Sequence, residues 1–129
     1  MSTMKKALKW IGIGFVAFIL VIMVYAFLGK EQTLALKISQ VDLSNIPDGE
    51  YTGRYNCYRW SNTAKVVVAD RRIVDVEAVK GPNGREGIRQ DLRNRIIKAQ
   101  SPAVDAVSGA TADSKAFLKA VEIALENAR

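Results

Sequence analysis

The residues best suited to hold or carry a reactive group lie in one stretch near the C-terminal end of the chain, residues 105–114. The stretch reads Asp-Ala-Val-Ser-Gly-Ala-Thr-Ala-Asp-Ser. Ser108, Gly109 and Ala110 are small, so a large ligand can approach the backbone closely. The hydroxyl of Thr111 stands where a helix is about to start, and a helix start offers unpaired N–H groups and a positive dipole end to a phosphate. The residues alone leave open a second interpretation, in which they only cap the helix.

The composition excludes several other kinds of site. The chain has no histidine and a single cysteine, Cys57. A serine or cysteine hydrolase with a histidine base is therefore impossible, and a conventional zinc or copper site is not expected. The net charge of +6 is divided into +3 before the apolar segment and +3 after it. A domain at +3 is too weakly basic to indicate nucleic-acid binding.

The N-terminal segment predicts a membrane anchor. From Trp10 to Leu28 there are 19 residues without a charge, which as a helix span roughly 28 Å, close to the thickness of a bilayer core. Three lysines (Lys5, Lys6 and Lys9) precede the run, so the N-terminus is expected in the cytoplasm and the remainder outside it. A cleaved signal peptide is the alternative, with Val24-Tyr25-Ala26 as a loose cleavage site; the long apolar run favours an uncleaved signal anchor in the cell membrane.

The segment after the anchor predicts a small antiparallel sheet. Residues 30–47 are expected to be a tether, within which Thr33–Ile38 could be a short strand or a helix. Residues 50–60 are rich in aromatics and predict a strand, in which Gly53 indicates a bulge or a close backbone approach. Residues 65–69 and 73–79 predict a hairpin. Three residues of its second strand are expected on the core face, and Asp75 and Glu77 on the solvated face. The three expected on the core face are Val74, Val76 and Ala78.

The sequence predicts two helices after the strands of the sheet. Ile88, Leu92 and Ile96 fall on one face of the first helix, and five basic residues cover much of the remainder: Arg85, Arg89, Arg93, Arg95 and Lys98. This basic face is either simply solvated or attracts flavin phosphates or anionic lipid. The second helix, about residues 113–127, has an apolar stripe that faces the core. The fold class is therefore α+β: a transmembrane helix, then a small antiparallel sheet packed with two or more helices.

The motif Asp105-x-x-Ser108-Gly109-Ala110-Thr111 resembles the flavinylation motif of the FMN-binding domain family. That family includes the flavin-carrying subunits of the sodium-pumping NADH:quinone oxidoreductase and of Rnf-type electron-transport complexes. Residues 48–53 also resemble the start of the FMN-binding domain. Residues 97–105 resemble the segment that precedes the motif in that family. The resemblance thus covers residues 48–129 and implies that this part is an FMN-binding domain.

The resemblance implies a role for each residue of the motif. Thr111 is the acceptor to which a separate FAD-dependent FMN transferase attaches FMN through a phosphoester. Ser108 and Ser114 are expected to donate hydrogen bonds to the phosphate, while the Gly109-Ala110 backbone leaves room for it and Asp105 orients the loop. The glycine-rich loop of residues 80–87, which on its own indicates only a connector, corresponds to a region near the flavin ring. Asp113 departs from the family, whose members often have Thr or Ser there.

The function implied is that of an electron carrier anchored in the membrane, with quinone-linked or haem-bearing proteins of the same membrane as donors or acceptors. Two alternatives remain open. One is a small flavin-dependent reductase with non-covalent FMN. The other is a non-redox anchored module whose arginine-rich helix binds anionic lipid or a wall polymer.

Overall fold

The computed structural model describes residues 2–82 and 84–128 and confirms the α+β class. Two short 3-10 turns, Leu43–Asn45 and Tyr58–Trp60, occur between the longer elements. The helices and strands, in chain order, are α1 (Ser2–Phe27), α2 (Lys30–Leu34), β1 (Gly49–Tyr55), β2 (Asn62–Ala69), β3 (Arg72–Lys80), α3 (Glu86–Ala99) and α4 (Thr111–Asn127). Asn83, in the predicted glycine-rich loop, lies outside the described residues.

The three strands form one antiparallel sheet in the order β1-β2-β3. The predicted hairpin between β2 and β3 turns at Asp70 and Arg71, whose φ angles of 52° and 61° are both positive. Positive φ at both central residues is the geometry whose twist matches that of the flanking strands. The backbone N–H of Asp70 donates to Asp48 Oδ1 at 2.9 Å, so the start of β1 is bound to this turn.

The predicted core face of β3 is wrong at Val74. Val67 stands opposite Asp75 while Val68 stands opposite Ile73, so Val74 is an extra residue without an opposite partner. Such a β-bulge shifts the alternation of side chains by one position. Val74 is consequently 48% exposed, and Ile73 occupies the core at 1% exposure. The other two predicted core residues of this strand remain at least half-buried.

The first strand ends earlier than predicted, at Tyr55 instead of Trp60. After it the chain turns through Tyr58, whose φ of 48° is incompatible with an extended strand. The hydroxyl of Ser61 closes the turn, because it accepts the N–H of Cys57 at 2.9 Å and donates to the carbonyl of Tyr58 at 2.8 Å. The aromatic residues that predict a single strand therefore belong in part to β1 and in part to a turn that the Ser61 side chain stabilises.

The core lies between the sheet and α4. One stripe of α4 consists of alanines at positions 116, 120 and 124, all fully buried. These small residues allow the helix to lie against β1 so closely that a Cβ added at Gly53 would collide with the carbonyl of Ala120 and the N–H of Ala124. Of the two roles that the sequence leaves open for Gly53, the structure therefore shows the close backbone approach.

Helix α3 covers the β3 side of the sheet through Leu92 and Ile96, which are fully buried, as predicted. It ends at Gln100, whose φ of 55° is left-handed. The side-chain amide of Gln100 accepts the N–H of Ile73 at 2.6 Å and donates to the carbonyl of Ile73 at 2.9 Å. This side chain therefore joins the end of α3 to the start of β3.

The connecting segment, residues 30–47, packs against the domain. Thr33, Val41 and Ile46 are buried in it, and the Thr33 hydroxyl is 2.9 Å from the hydroxyl of Tyr55 in β1. Burial raises the pKa of Tyr55 above the ordinary 10.0, because the charged phenolate is disfavoured away from water. Residues 33–38, which the sequence leaves open between strand and helix, are the end of α2 followed by irregular chain.

Helix α1 stands apart from this core, with none of its residues buried. The span Ser2–Leu34 is long and apolar enough to cross a membrane, with a mean hydropathy of 2.8 in its most apolar window. A long apolar helix in a soluble protein would be buried in its core, and none of the residues in this window is buried.

The contact between β1 and α4 leads to a stability prediction. We expect Gly53→Ala to lower the free energy of unfolding by about 3 kcal/mol, because the new methyl group meets backbone atoms that cannot move aside. Urea unfolding of the full chain in detergent micelles, followed by circular dichroism, measures the change. Gly87→Ala in α3 is the matched control, since its Cβ meets nothing within 4 Å, and we expect a change below about 1 kcal/mol. Equal effects of the two substitutions would contradict this account of the packing.

Candidate functional site

The motif loop before α4 is a tight turn. The N–H of Ala110 donates to the carbonyl of Val107 at 3.0 Å, and Gly109 at the third position of the turn has a φ of 79°. Side chains other than glycine are strained in this region. A Cβ at Gly109 would nevertheless meet nothing within 4 Å, so the space above the turn is open to a ligand. Ser108 and Gly109 are both exposed.

The turn is supported from below by Ser114. Its hydroxyl accepts the N–H of Val107 at 3.0 Å, and its side chain is completely buried. Of the predicted site residues, Ser114 thus lies beneath the loop, whereas Ser108 and Thr111 lie at its surface. The contact observed for Ser114 holds the loop in position.

Helix α4 begins at Thr111 without a side-chain cap. Ala110 is the N-cap residue and no side chain in the described part of the chain caps the helix. Capping by a hydroxyl, the alternative that the sequence leaves open, is therefore not what Ser108 or Thr111 does here. The Thr111 side chain is exposed in the first turn, where helix N–H groups and the helix dipole favour a negative group.

The entry to the motif is held by Arg95 of α3. Its Nη1 donates to the carbonyl of Asp105 at 3.0 Å and to that of Ala106 at 3.4 Å. The same guanidinium contacts both carboxylate oxygens of Asp91, one turn earlier in α3, at 3.3 and 3.2 Å. Asp105 itself is exposed. Its backbone carbonyl contributes to the geometry of the loop through Arg95, a contact that sequence reasoning missed.

The first turn of α4 carries a second arginine contact. Arg85 Nε lies 3.3 Å from Asp113 Oδ2, and the Asp113 side chain is only 11% exposed. The carboxylate that distinguishes this chain from the family pattern is therefore paired with a guanidinium. Because Arg85 belongs to the glycine-rich loop before α3, the pair also brings that loop next to the motif.

The remaining arginines of α3 also have partners. Arg89 Nη1 donates to the carbonyl of Pro82 at 2.9 Å, and Arg93 Nη2 lies 2.8 Å from Asp75 Oδ1 in β3. The basic face predicted for this helix is thus built largely into the scaffold around the motif. The i,i+4 spacing of Asp91 and Arg95 is a sequence signal for their pair, whereas the pairs of Arg85 with Asp113 and of Arg93 with Asp75 join distant parts of the chain.

The described residues contain no group of three or more His, Cys, Asp or Glu side chains that could hold a metal ion. Cys57 is a buried free thiol. The chemistry that the site can perform therefore depends on an exposed hydroxyl, a helix start and a nearby guanidinium, a set of groups suited to a phosphorylated ligand.

The two serines of the motif are expected to differ in stability effects. Ser114→Ala leaves the partly buried N–H of Val107 without its acceptor, and we expect it to lower the free energy of unfolding by about 2 kcal/mol. Ser108→Ala at the exposed turn should change it by less than about 0.5 kcal/mol. Urea unfolding of both variants checks this difference, and a stability loss at Ser108 as large as that at Ser114 would contradict it.

The role of Arg95 can be measured by amide hydrogen exchange. Arg95→Met removes the hydrogen bonds to the two carbonyls of the motif entry. We expect amide exchange at Val107 and Ala110 to become about fivefold faster, because the loss of bonds from a partly exposed guanidinium lowers the free energy of local opening by about 1 kcal/mol. Lys98→Met, an exposed position on the same helix, serves as the control and should leave these amides unchanged. Identical exchange in both variants would show that the loop holds its geometry without Arg95.

Comparison with known proteins agrees with these features. The family model of the FMN-binding domain matches residues 60–126, more than half of the chain. The match runs from the turn before β2 to the end of α4 and contains the motif loop, Thr111 and both arginine contacts. No curated protein matches the chain. The chain belongs to the FMN-binding domain family, with FMN as its cofactor.

Proposed function

We propose that this protein is an extracytoplasmic electron carrier, anchored in the membrane by α1, with FMN attached to Thr111 through a phosphoester. The observation that carries the proposal is the position of Thr111: an exposed hydroxyl in the first, uncapped turn of α4, directly after an open Ser-Gly turn. A family whose cofactor is FMN and a motif that resembles its flavinylation sequence support the same assignment.

The residues present suit an FMN phosphate. Thr111 supplies the oxygen for the ester, the first turn of α4 supplies N–H groups, and Ser108 is free to add a hydroxyl. Asp113, whose negative charge in the first turn of α4 is unfavourable for a phosphate, is paired with Arg85 at 3.3 Å. Ser114 contributes indirectly, through its hydrogen bond to the N–H of Val107.

Attachment requires the Thr111 oxygen to replace AMP on the FMN phosphorus of FAD, with loss of the hydroxyl proton. The carboxylate closest in sequence to Thr111 is that of Asp113, and it is occupied by Arg85. A general base must lie within hydrogen-bond reach of the proton that it removes, whereas the contact shown for this carboxylate is the one with the Arg85 guanidinium. We therefore assign proton removal to a separate FAD-dependent FMN transferase and the role of acceptor to this chain.

An FMN held by Thr111 and the first turn of α4 would supply the redox chemistry, with electrons taken up in pairs and passed on singly, and the chain would determine where this occurs. The chain contributes a rigid mount, because α4 is fixed to the sheet through its buried alanine stripe. A covalent link also prevents loss of the cofactor by dilution outside the cell. The three lysines before the apolar run favour a cytoplasmic N-terminus and a domain outside the cytoplasm. The anchor favours electron partners in the same membrane, such as quinone-linked or haem-bearing proteins.

The proposal is tested by co-expression with an FMN transferase. We expect the denatured protein to retain flavin fluorescence on a gel, Thr111→Ala to lose it completely, and Thr111→Ser to keep at least part of it, because serine retains the hydroxyl. Ser108→Ala should fold normally and show reduced labelling, since only a contact to the phosphate is removed.

The alternatives predict other results in the same experiment. A reductase with non-covalent FMN gives a yellow native protein whose flavin is released by denaturation, irrespective of Thr111. A non-redox anchored module gives a colourless protein. A dark wild-type band after denaturation, with the transferase active on a known substrate, would exclude the covalent carrier.

A further inference from the structure

The short turn Tyr58–Trp60 packs against the end of α1 closest to the domain. The rings of Tyr25 in α1 and Tyr58 meet edge to face, with centroids 6.4 Å apart and planes at 88°. Next to them the thiol of Cys57 lies 3.7 Å from the carbonyl of Gly29. The apolar helix and the FMN-binding domain are thus in direct contact.

The contact is fixed by the segment that follows α1. Gly29 ends the helix with a left-handed φ of 80°, and a Cβ there would collide with the Cys57 sulfur. One helical turn later the buried Thr33 hydroxyl bonds to that of Tyr55. Lys115 Nζ of α4 donates to the carbonyl of Leu34 at 2.6 Å. Each of these bonds limits rotation of the domain about the end of α1.

The position of Tyr25 sets the depth of Tyr58. The uncharged run ends at Leu28, and Lys30 is the first charged residue beyond it. At 1.5 Å per residue, Tyr25 lies about 5 Å on the hydrocarbon side of Leu28 in a helix that crosses the bilayer. A ring in contact with Tyr25 is therefore at the level where hydrocarbon gives way to lipid headgroups.

The turn itself has the properties of a membrane-surface contact. Tyr58 is 56% exposed although its φ of 48° is unfavourable for a bulky side chain, so core packing does not account for its conformation. The guanidinium of Arg59 lies over the ring of Trp60, 4.4 Å from its centroid. Exposed tyrosine beside a cation is the residue combination typical of membrane–water interfaces.

We propose that the Tyr58–Trp60 turn lies in the lipid headgroup layer of the membrane that α1 crosses, with the Tyr58 ring at the hydrocarbon boundary and Arg59 near lipid phosphates. The inference rests on the membrane anchorage of α1 in the proposed function. It adds that the domain has one orientation on the membrane. Since Lys115 lies one turn after Thr111 in α4, the helix that carries the attachment residue is held in that orientation, and its electron partners have to reach it at the membrane surface.

Spin labels on the full chain in phosphatidylcholine–phosphatidylglycerol vesicles test the proposal. In a Cys57→Ser background, a nitroxide is placed at Tyr58→Cys and, as a second position that leaves Tyr58 intact, at Arg59→Cys. Phe18→Cys in α1 is the hydrocarbon reference and Glu126→Cys, exposed near the end of α4, is the aqueous reference. Circular dichroism verifies that each variant is folded.

The measured quantity is the ratio of collision rates with oxygen, which concentrates in lipid, and with a water-soluble nickel chelate. We expect the ratio at residue 58 to be several-fold above that at residue 126 and below that at residue 18, with residue 59 between 58 and 126. Ratios at 58 and 59 equal to that at 126, with residue 18 in hydrocarbon, would overturn the docked turn and leave the anchor intact. A water-exposed label at residue 18 would instead overturn the anchor, and with it this inference. Flavin attachment is not involved in either result.

Discussion

The close packing of α4 on β1 is the constraint on which the rest of the structure depends. Gly53 and three alanines of the helix bring the two backbones together so closely that there is no room for a Cβ. Contacts of this kind permit little sliding, because each backbone fits the other at one register only. Thr111 is the first residue of the same helix and therefore has a fixed position relative to the sheet, which a cofactor attached there, as proposed, would share.

The arginines of α3 and of the loop before it add a second layer of support around the motif. Arg95 holds the carbonyls at its entry and Arg85 pairs with Asp113 just after Thr111. Arginine contacts thus hold the loop at both ends, while Ser108 and Gly109 in its turn are exposed, with free space above Gly109. A short domain can in this way present an accessible hydroxyl on a rigid base. Part of the basic face predicted for α3 is thus engaged in contacts within the domain.

The connection to α1 extends the same rigidity toward the membrane. In residues 30–47, the segment that the sequence predicts to be a tether, Thr33, Val41 and Ile46 are buried against the domain. The bonds from Thr33 to Tyr55 and from Lys115 to Leu34 tie this segment to the sheet and to α4. In the proposed role of an electron carrier, a domain mounted in this way would present one fixed face to its partners, whereas a loosely tethered domain would move between them.

Much of this protein was determined by local sequence alone. The apolar run, the alternation in the hairpin, the stripes of the two helices and the motif around Thr111 are all patterns within a few residues, and periodicity reports them directly. The tertiary structure decided the bulge at Val74, the end of β1 at Tyr55 and the partners of the arginines. The contact of Lys115 with Leu34, 81 residues away, belongs to the same group. These features depend on which distant backbone and side-chain groups meet when the core forms, and no local periodicity encodes that choice.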